Sequence, residues 1–187
     1  MAQNPISPNK IMEKEQLQLK INKVKRKIGS LYFEKGLKMF QDAGDIKSSV
    51  IHTSEIKQCL SGLGLDLTTS VYDRSFSVTT LDNWMDVIAN DIMHKIKYIK
   101  ELKDCDNFAF AFAVFASMLY GLTTCPPTFG DTNLGRHYFN IIITKEDDGK
   151  LSAILYEPIT GMWDRIEKGK RLIIGQMEYN PHHLHLF

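Results

Sequence analysis

The chain has 187 residues, 23 Lys and Arg against 22 Asp and Glu, a formal net charge of +1, and 43% hydrophobic and 24% charged residues. That is the balance of a globular protein, and it excludes binding to nucleic acid or membrane through overall charge; neither partner is expected. The length suits one ordinary domain, or a domain with an arm.

The three cysteines, Cys59, Cys105 and Cys125, form no C-x-x-C pair. Neither a disulfide framework nor a cysteine zinc site is expected, and the natural compartment is reducing, the cytoplasm. The N-terminus has no apolar core of a signal peptide.

In chain order, residues 1–9 hold two prolines and two asparagines and read as a tail. From Lys10 to Met39 the apolar residues Ile11, Leu17, Ile21, Val24, Ile28 and Leu31 punctuate a charged stretch, so one or two amphipathic helices are predicted, with a break at Gly29 or Gly36. Lys23, Lys25, Arg26 and Lys27 read as a solvated helix face rather than a nucleic-acid patch. Residues 1–49 are therefore assigned to a tail and helical arm, and 50–187 to the main domain.

Within that domain Thr53 or Ser54 caps a short helix to Leu60, and Val71 to Val78 reads as a turn or short strand. Thr80 or Asp82 caps a longer helix carrying Trp84, Val87, Ile88, Ile92, Ile96 and Ile99. Asp104 is a good N-cap for the apolar run Cys105 to Tyr120, and Gly121 suits its end. That run has no polar face, so burial on nearly all sides is expected. Thr123 to Gly135, with Pro126, Pro127 and Gly130, reads as a loop. His137 to Thr144 and Leu151 to Glu157 are β-branched and aromatic and read as an antiparallel pair closed by Pro158. Matching the more apolar sides opposes Ile143 to Leu151, Ile141 to Ala153, Phe139 to Leu155 and His137 to Glu157, with Asn140 on the other face.

The candidate site follows from these placements. Cys105 starts a helix, where the dipole favours a thiolate, although Asp104 and Asp106 oppose one. His137 begins a strand and Glu157 ends the next. A thiol, an imidazole and a carboxylate in this relation supply a nucleophile, a base and an orienting acid. Asp104-Cys105-Asp106-Asn107-Phe108-Ala109, Arg136-His137-Tyr138-Phe139-Asn140 and Tyr156-Glu157-Pro158-Ile159-Thr160-Gly161 together resemble the papain-like and transglutaminase-like cysteine hydrolases. The match is closest to the papain-like domain of the Marasmius oreades agglutinin type and its bacterial and phage relatives, over about Val50 to Met177.

The resemblance implies an α+β, papain-like fold, with a helical N-terminal half packed on an antiparallel sheet. It also implies a hydrolase of peptide or amide bonds with Cys105, His137 and Glu157 as catalytic residues, a peptide or protein substrate, and a homodimer. No glutamine precedes Cys105 to donate to an oxyanion, and no carbohydrate-binding repeat accompanies the domain. The alternatives are a non-catalytic binding or assembly protein, phage-related, that keeps the fold, and a regulatory domain whose arm docks a partner. No cofactor is required. Asp104, Asp106 and Asp131 are the residues that would gather round calcium, but capping and solvation account for them. His182, His183 and His185 read as a polar C-terminal tail rather than a metal site.

Overall fold

The computed structural model describes residues 16, 20, 22–27, 29–31, 33–35 and 46–187. The chain forms two units, 1–44 and 45–187. In the first, residues 22–27, 29–31 and 33–35 are helical and exposed. The tail expected over residues 1–9 and the expected break at Gly36 lie outside the described residues.

The second unit runs β1 (Ser49–His52), α1 (Thr53–Gly62), β2 (Thr68–Val71), β3 (Ser75–Val78), α2 (Leu81–Ala89), a 3-10 turn (Met93–Lys95), α3 (Cys105–Tyr120), β4 (Pro127–Thr132), β5 (Gly135–Lys145), β6 (Leu151–Glu157), β7 (Met162–Arg165), β8 (Leu172–Ile174) and β9 (Met177–Leu186). Strands β1 and β3 form a two-stranded sheet. The other seven form one sheet, ordered β2-β9-β4-β5-β6-β7 with β8 also on β9. It is mixed, because β2 runs parallel to β9.

This corrects the expected fold class. The N-terminal half is not a helical layer on an antiparallel sheet: β1 to β4 all precede Arg136, and the described unit has more residues in strands than in helices. Short strands such as Thr68–Val71 carry little apolar alternation of their own. They are strands because a long partner, β9, offers them a ladder.

Two local differences share that cause, and a third lies in a helix. The expected loop from Thr123 holds β4. Its Gly130 lies where a Cβ would come 2.4 Å from the Asn180 carbonyl oxygen on β9. The ladder shifts register between Phe129 and Gly130. The glycine marks a close approach between strands, not a turn, and Pro127 takes the first strand position, where a missing N–H is tolerated. The expected C-terminal tail is β9, paired to β2, β4 and β8. The long second helix stops at Ala89, capped by Asn90, and leaves Ile92, Ile96 and Ile99 exposed beyond its end.

The core has two parts, one on each sheet face. Phe139, Ile141, Ile143, Ala153 and Leu155 pack with Ile56 and Leu60 of α1 and with Phe76 and Val78 of β3. Ile142, Ile154 and Tyr156 pack with Trp84 and Val87 of α2 and with Phe112, Ala113 and Ala116 of α3. Successive residues of β5 and β6 thus serve opposite faces, which is why both read as unbroken apolar runs. The helix α3 begins after Asp104, whose N–H donates to Asn107 Oδ1 at 3.2 Å. It ends at Gly121, whose φ of 65° only a residue without a Cβ adopts freely. Its burial is one-sided: Phe108, Ala109, Phe112, Ala113 and Ala116 are buried, while Val114 and Met118 are exposed.

Candidate functional site

The strands β5 and β6 pair with Ile143 opposite Ala153 and Ile141 opposite Leu155. The sidedness is the one expected from sequence, but the register is displaced by two residues, since Leu151 faces Lys145 rather than Ile143. A two-residue shift keeps every side chain on its face. His137 and Glu157 therefore share a face and meet diagonally, with His137 Nε2 at 2.6 Å from Glu157 Oε2.

Glu157 is buried, with 2% of its surface exposed. It is held by more than histidine. Tyr179 Oη donates to Glu157 Oε2 at 3.0 Å, and the backbone N–H of Ile159 donates to Oε1 at 3.1 Å. Both oxygens are satisfied, as a buried carboxylate requires. The turn after β6 supplies the second donor: Gly161 N–H returns to the Glu157 carbonyl at 2.8 Å, and Gly161 has a positive φ of 73°.

His137 is mostly buried, and burial opposes its protonation. Hydrogen bonding to Cys105 and to Glu157, with the charges of both, outweighs this and pushes its pKa from 6.5 up to about 9. The imidazole is thus a cation at neutral pH, set between a carboxylate and a sulfur. The sulfur is at the first residue of α3 and half-buried. Burial pushes Cys59 up to about 11 and raises Cys125, which lies in the core.

Asn140 is on the opposite face from His137, where its Nδ2 donates to the carbonyls of Ala109 at 3.1 Å and Cys125 at 2.9 Å. This ties α3 to β5 three residues from His137, and so fixes the helix that carries Cys105 against the strand that carries the imidazole. Asp106, beside Cys105, has its pKa raised, first by a hydrogen bond with Asp104 and then by burial. Asp131 is engaged elsewhere, its Oδ2 at 2.9 Å from His182 Nε2. Among the described residues no group of three or more His, Cys, Asp or Glu is placed to hold a metal ion.

The structure brings Cys105, His137 and Glu157 together. Sequence reasoning missed Tyr179 and the role of Asn140. Tyr179 had no signal, because it lies on β9, a strand not predicted from sequence, where only His182 to His185 were read, as a tail. The Asn140 amide had one: a polar residue inside the apolar run Phe139 to Ile143 calls for buried partners.

No protein-family model matches the chain, and no curated protein matches it. Among solved structures it is similar to PSL1a in complex with E64, at 18% identity and a TM-score of 0.53, over 73% of this chain and 51% of that one. It is also similar to Polyporus squamosus lectin bound to the human-type influenza-binding epitope Neu5Aca2-6Galb1-4GlcNAc, at 16% identity and a TM-score of 0.53, over 73% of this chain and 49% of that one. The chain spans about half the length of the chains it matches, and identity at this level carries the fold alone.

These similarities correct the resemblance expected from sequence. One of the two is named as a lectin, and neither is named as a papain-like or transglutaminase-like hydrolase. The cysteine-protease reading and its peptide or protein substrate fall with that family. The physical reason is that the three motif blocks are short and local. Asp-Cys-Asp-Asn is what a helix start selects for capping, and a strand-opening His and a strand-closing Glu-Pro are common ladder ends. Such blocks specify where side chains stand, and fold does not settle what they do.

Proposed function

We propose that this chain is a non-catalytic ligand-binding domain that captures its ligand where Cys105, His137 and Glu157 meet. One observation carries the reading: His137, with its pKa pushed up to about 9, stands between the Cys105 sulfur and the buried Glu157 carboxylate. A cationic imidazole and a helix N-terminus are both electropositive neighbours of the sulfur. The ligand class is a small polar molecule with an electrophilic carbon. PSL1a, of similar fold, is known in complex with E64, which supports a thiol-reactive ligand. E64 is an epoxide, and its capture balances as one event: the sulfur forms a bond to a ring carbon, the carbon–oxygen bond opens, and the oxygen takes the proton of the His137 imidazolium.

The test is the intact-mass change of the full chain incubated with E64. One adduct per chain is expected, on Cys105 and not on Cys59 or Cys125, lost in Cys105→Ala and slowed in His137→Ala. Equal adduct rates at the three cysteines would refute the site. Repeated turnover of a peptide or amide substrate would refute the non-catalytic reading. The trisaccharide of the lectin structure serves as a second probe, and binding of it that survives Cys105→Ala would place ligand recognition elsewhere.

A further inference from the structure

We propose that His94 is a positioning residue for the ligand site at Cys105, acting on Glu157 through the turn between β6 and β7, a role that rests on the reading of that site given above. Glu157 pairs with Met162 across the hairpin, so Pro158, Ile159, Thr160 and Gly161 form a four-residue loop. The loop folds back on Glu157. The N–H groups of Thr160 and Gly161 donate to its carbonyl at 3.2 and 2.8 Å, and the N–H of Ile159 donates to its Oε1 at 3.1 Å. The shape of the loop therefore sets where the carboxylate points, and so how well Oε2 meets His137 Nε2 at 2.6 Å.

Those bonds are local, and β7 is an edge strand whose four residues are all exposed. A hairpin end with so little packing of its own is fixed by contact with another element. His94 makes such a contact. A Cβ added at Gly161 would meet Cγ and Nδ1 of His94 at 3.4 Å and its Cβ at 3.6 Å, so the imidazole rests against the bare backbone of the loop. His94 is itself held in place. It belongs to the 3-10 turn Met93–Lys95, which Ile96 closes by donating its N–H to the Met93 carbonyl at 2.9 Å. The buried Asp91 anchors that turn, its Oδ1 accepting from the Met93 N–H at 2.9 Å. This is not the oxygen that takes the Tyr156 hydroxyl, so the support of His94 does not pass through Tyr156. Contact thus runs from Asp91 through Met93 and His94 to Gly161, and from there to the carboxylate that holds His137. The ring meets an uncharged backbone carbon, so its shape rather than its charge is what steadies the loop.

The test is the ring titration of His137 followed by NMR in the full chain, its signal assigned by its loss in His137→Ala. His94→Ala should lower that titration from about 9 toward 6.5, because the unsupported loop lets the carboxylate drift from the imidazole. The same variant should slow E64 capture at Cys105 by about three- to tenfold. His94→Phe keeps a flat ring against Gly161 and should leave both close to wild type. Lys95→Ala, on the same turn, should change neither. An unchanged titration in His94→Ala would overturn the proposal. So would a titration moved as far by His94→Phe as by His94→Ala, since the charge of His94 and not its packing would then be acting. The titration needs no ligand. If the wild type forms no adduct at Cys105 the ligand reading fails, and the titration still decides whether His94 positions Glu157.

Discussion

Tyr156 and Glu157 are consecutive on β6 and point to opposite faces of the sheet, and each belongs to a buried pair of an acid and a ring. On the helix face the Tyr156 hydroxyl donates to Asp91 Oδ2. Asp91 is 0% exposed, and its other oxygen accepts from the Met93 N–H at 2.9 Å. Burial raises the pKa of both groups, so the arrangement favours neutral forms in a closed core. On the other face Glu157 accepts from His137, and here burial loses to the hydrogen bonds, which push the His137 pKa up to about 9. The difference is the third group. Tyr156 is backed by Phe112, with ring centroids 4.5 Å apart, whereas His137 is backed by a thiol. A buried carboxylate with a ring partner is thus not in itself a site. It becomes a candidate when the ring is a base that turns toward a reactive atom.

The largest effect should come from the closed pair. Tyr156→Phe leaves Asp91 with one donor fewer in a dry core, which should lower stability by about 1–3 kcal/mol, measured by urea unfolding. E64 capture at Cys105 should keep its wild-type rate, and a slowed rate would show that the two faces are coupled.

The open pair should show itself through pH. The folded pKa of His137, about 9, lies above its ordinary 6.5. Its contribution to stability is therefore complete below about pH 6.5 and is lost as pH rises through about 9. Urea midpoints of the wild type should fall over that window. In Glu157→Gln the His137 ring titration, followed by NMR, should move down toward 6.5 and the fall in midpoint should flatten. An unchanged titration would mean that Cys105 alone holds the proton on His137.

The smallest change concerns Tyr179. Its hydroxyl shares Glu157 Oε2 with His137, so it competes with the imidazole for one oxygen. Tyr179→Phe should cost about 1 kcal/mol in stability and raise the His137 titration, opposite in sign to Glu157→Gln. A fall instead would show that Tyr179 serves chiefly to aim the carboxylate.

Much of the site was legible in the sequence because its parts lie at ends of elements with strong local signals. Asp104 and Gly121 delimit α3, and so place Cys105 at its start. The alternation of Phe139, Ile141 and Ile143 against Ile142 sets the faces of β5, and so sets His137 and Glu157 on one side. Register was not legible to better than two residues, because a shift of two leaves the faces unchanged and costs only pairing detail.

By itself the sequence determined which residues stand at helix starts and strand ends, and which side of each strand they take. Those depend on capping and on a period of two, which act over a few residues. The tertiary structure alone decided that Thr68–Val71 and Pro127–Thr132 are strands, that β9 lies between them, and that Tyr179 and Asn140 brace the site. A short edge segment or a Gly-Pro stretch acquires its conformation from the ladder offered by a partner distant in the chain, and a hydrogen bond from Tyr179 to Glu157 exists only once β9 has docked. Those are long-range free energies, and no local pattern in the sequence encodes them.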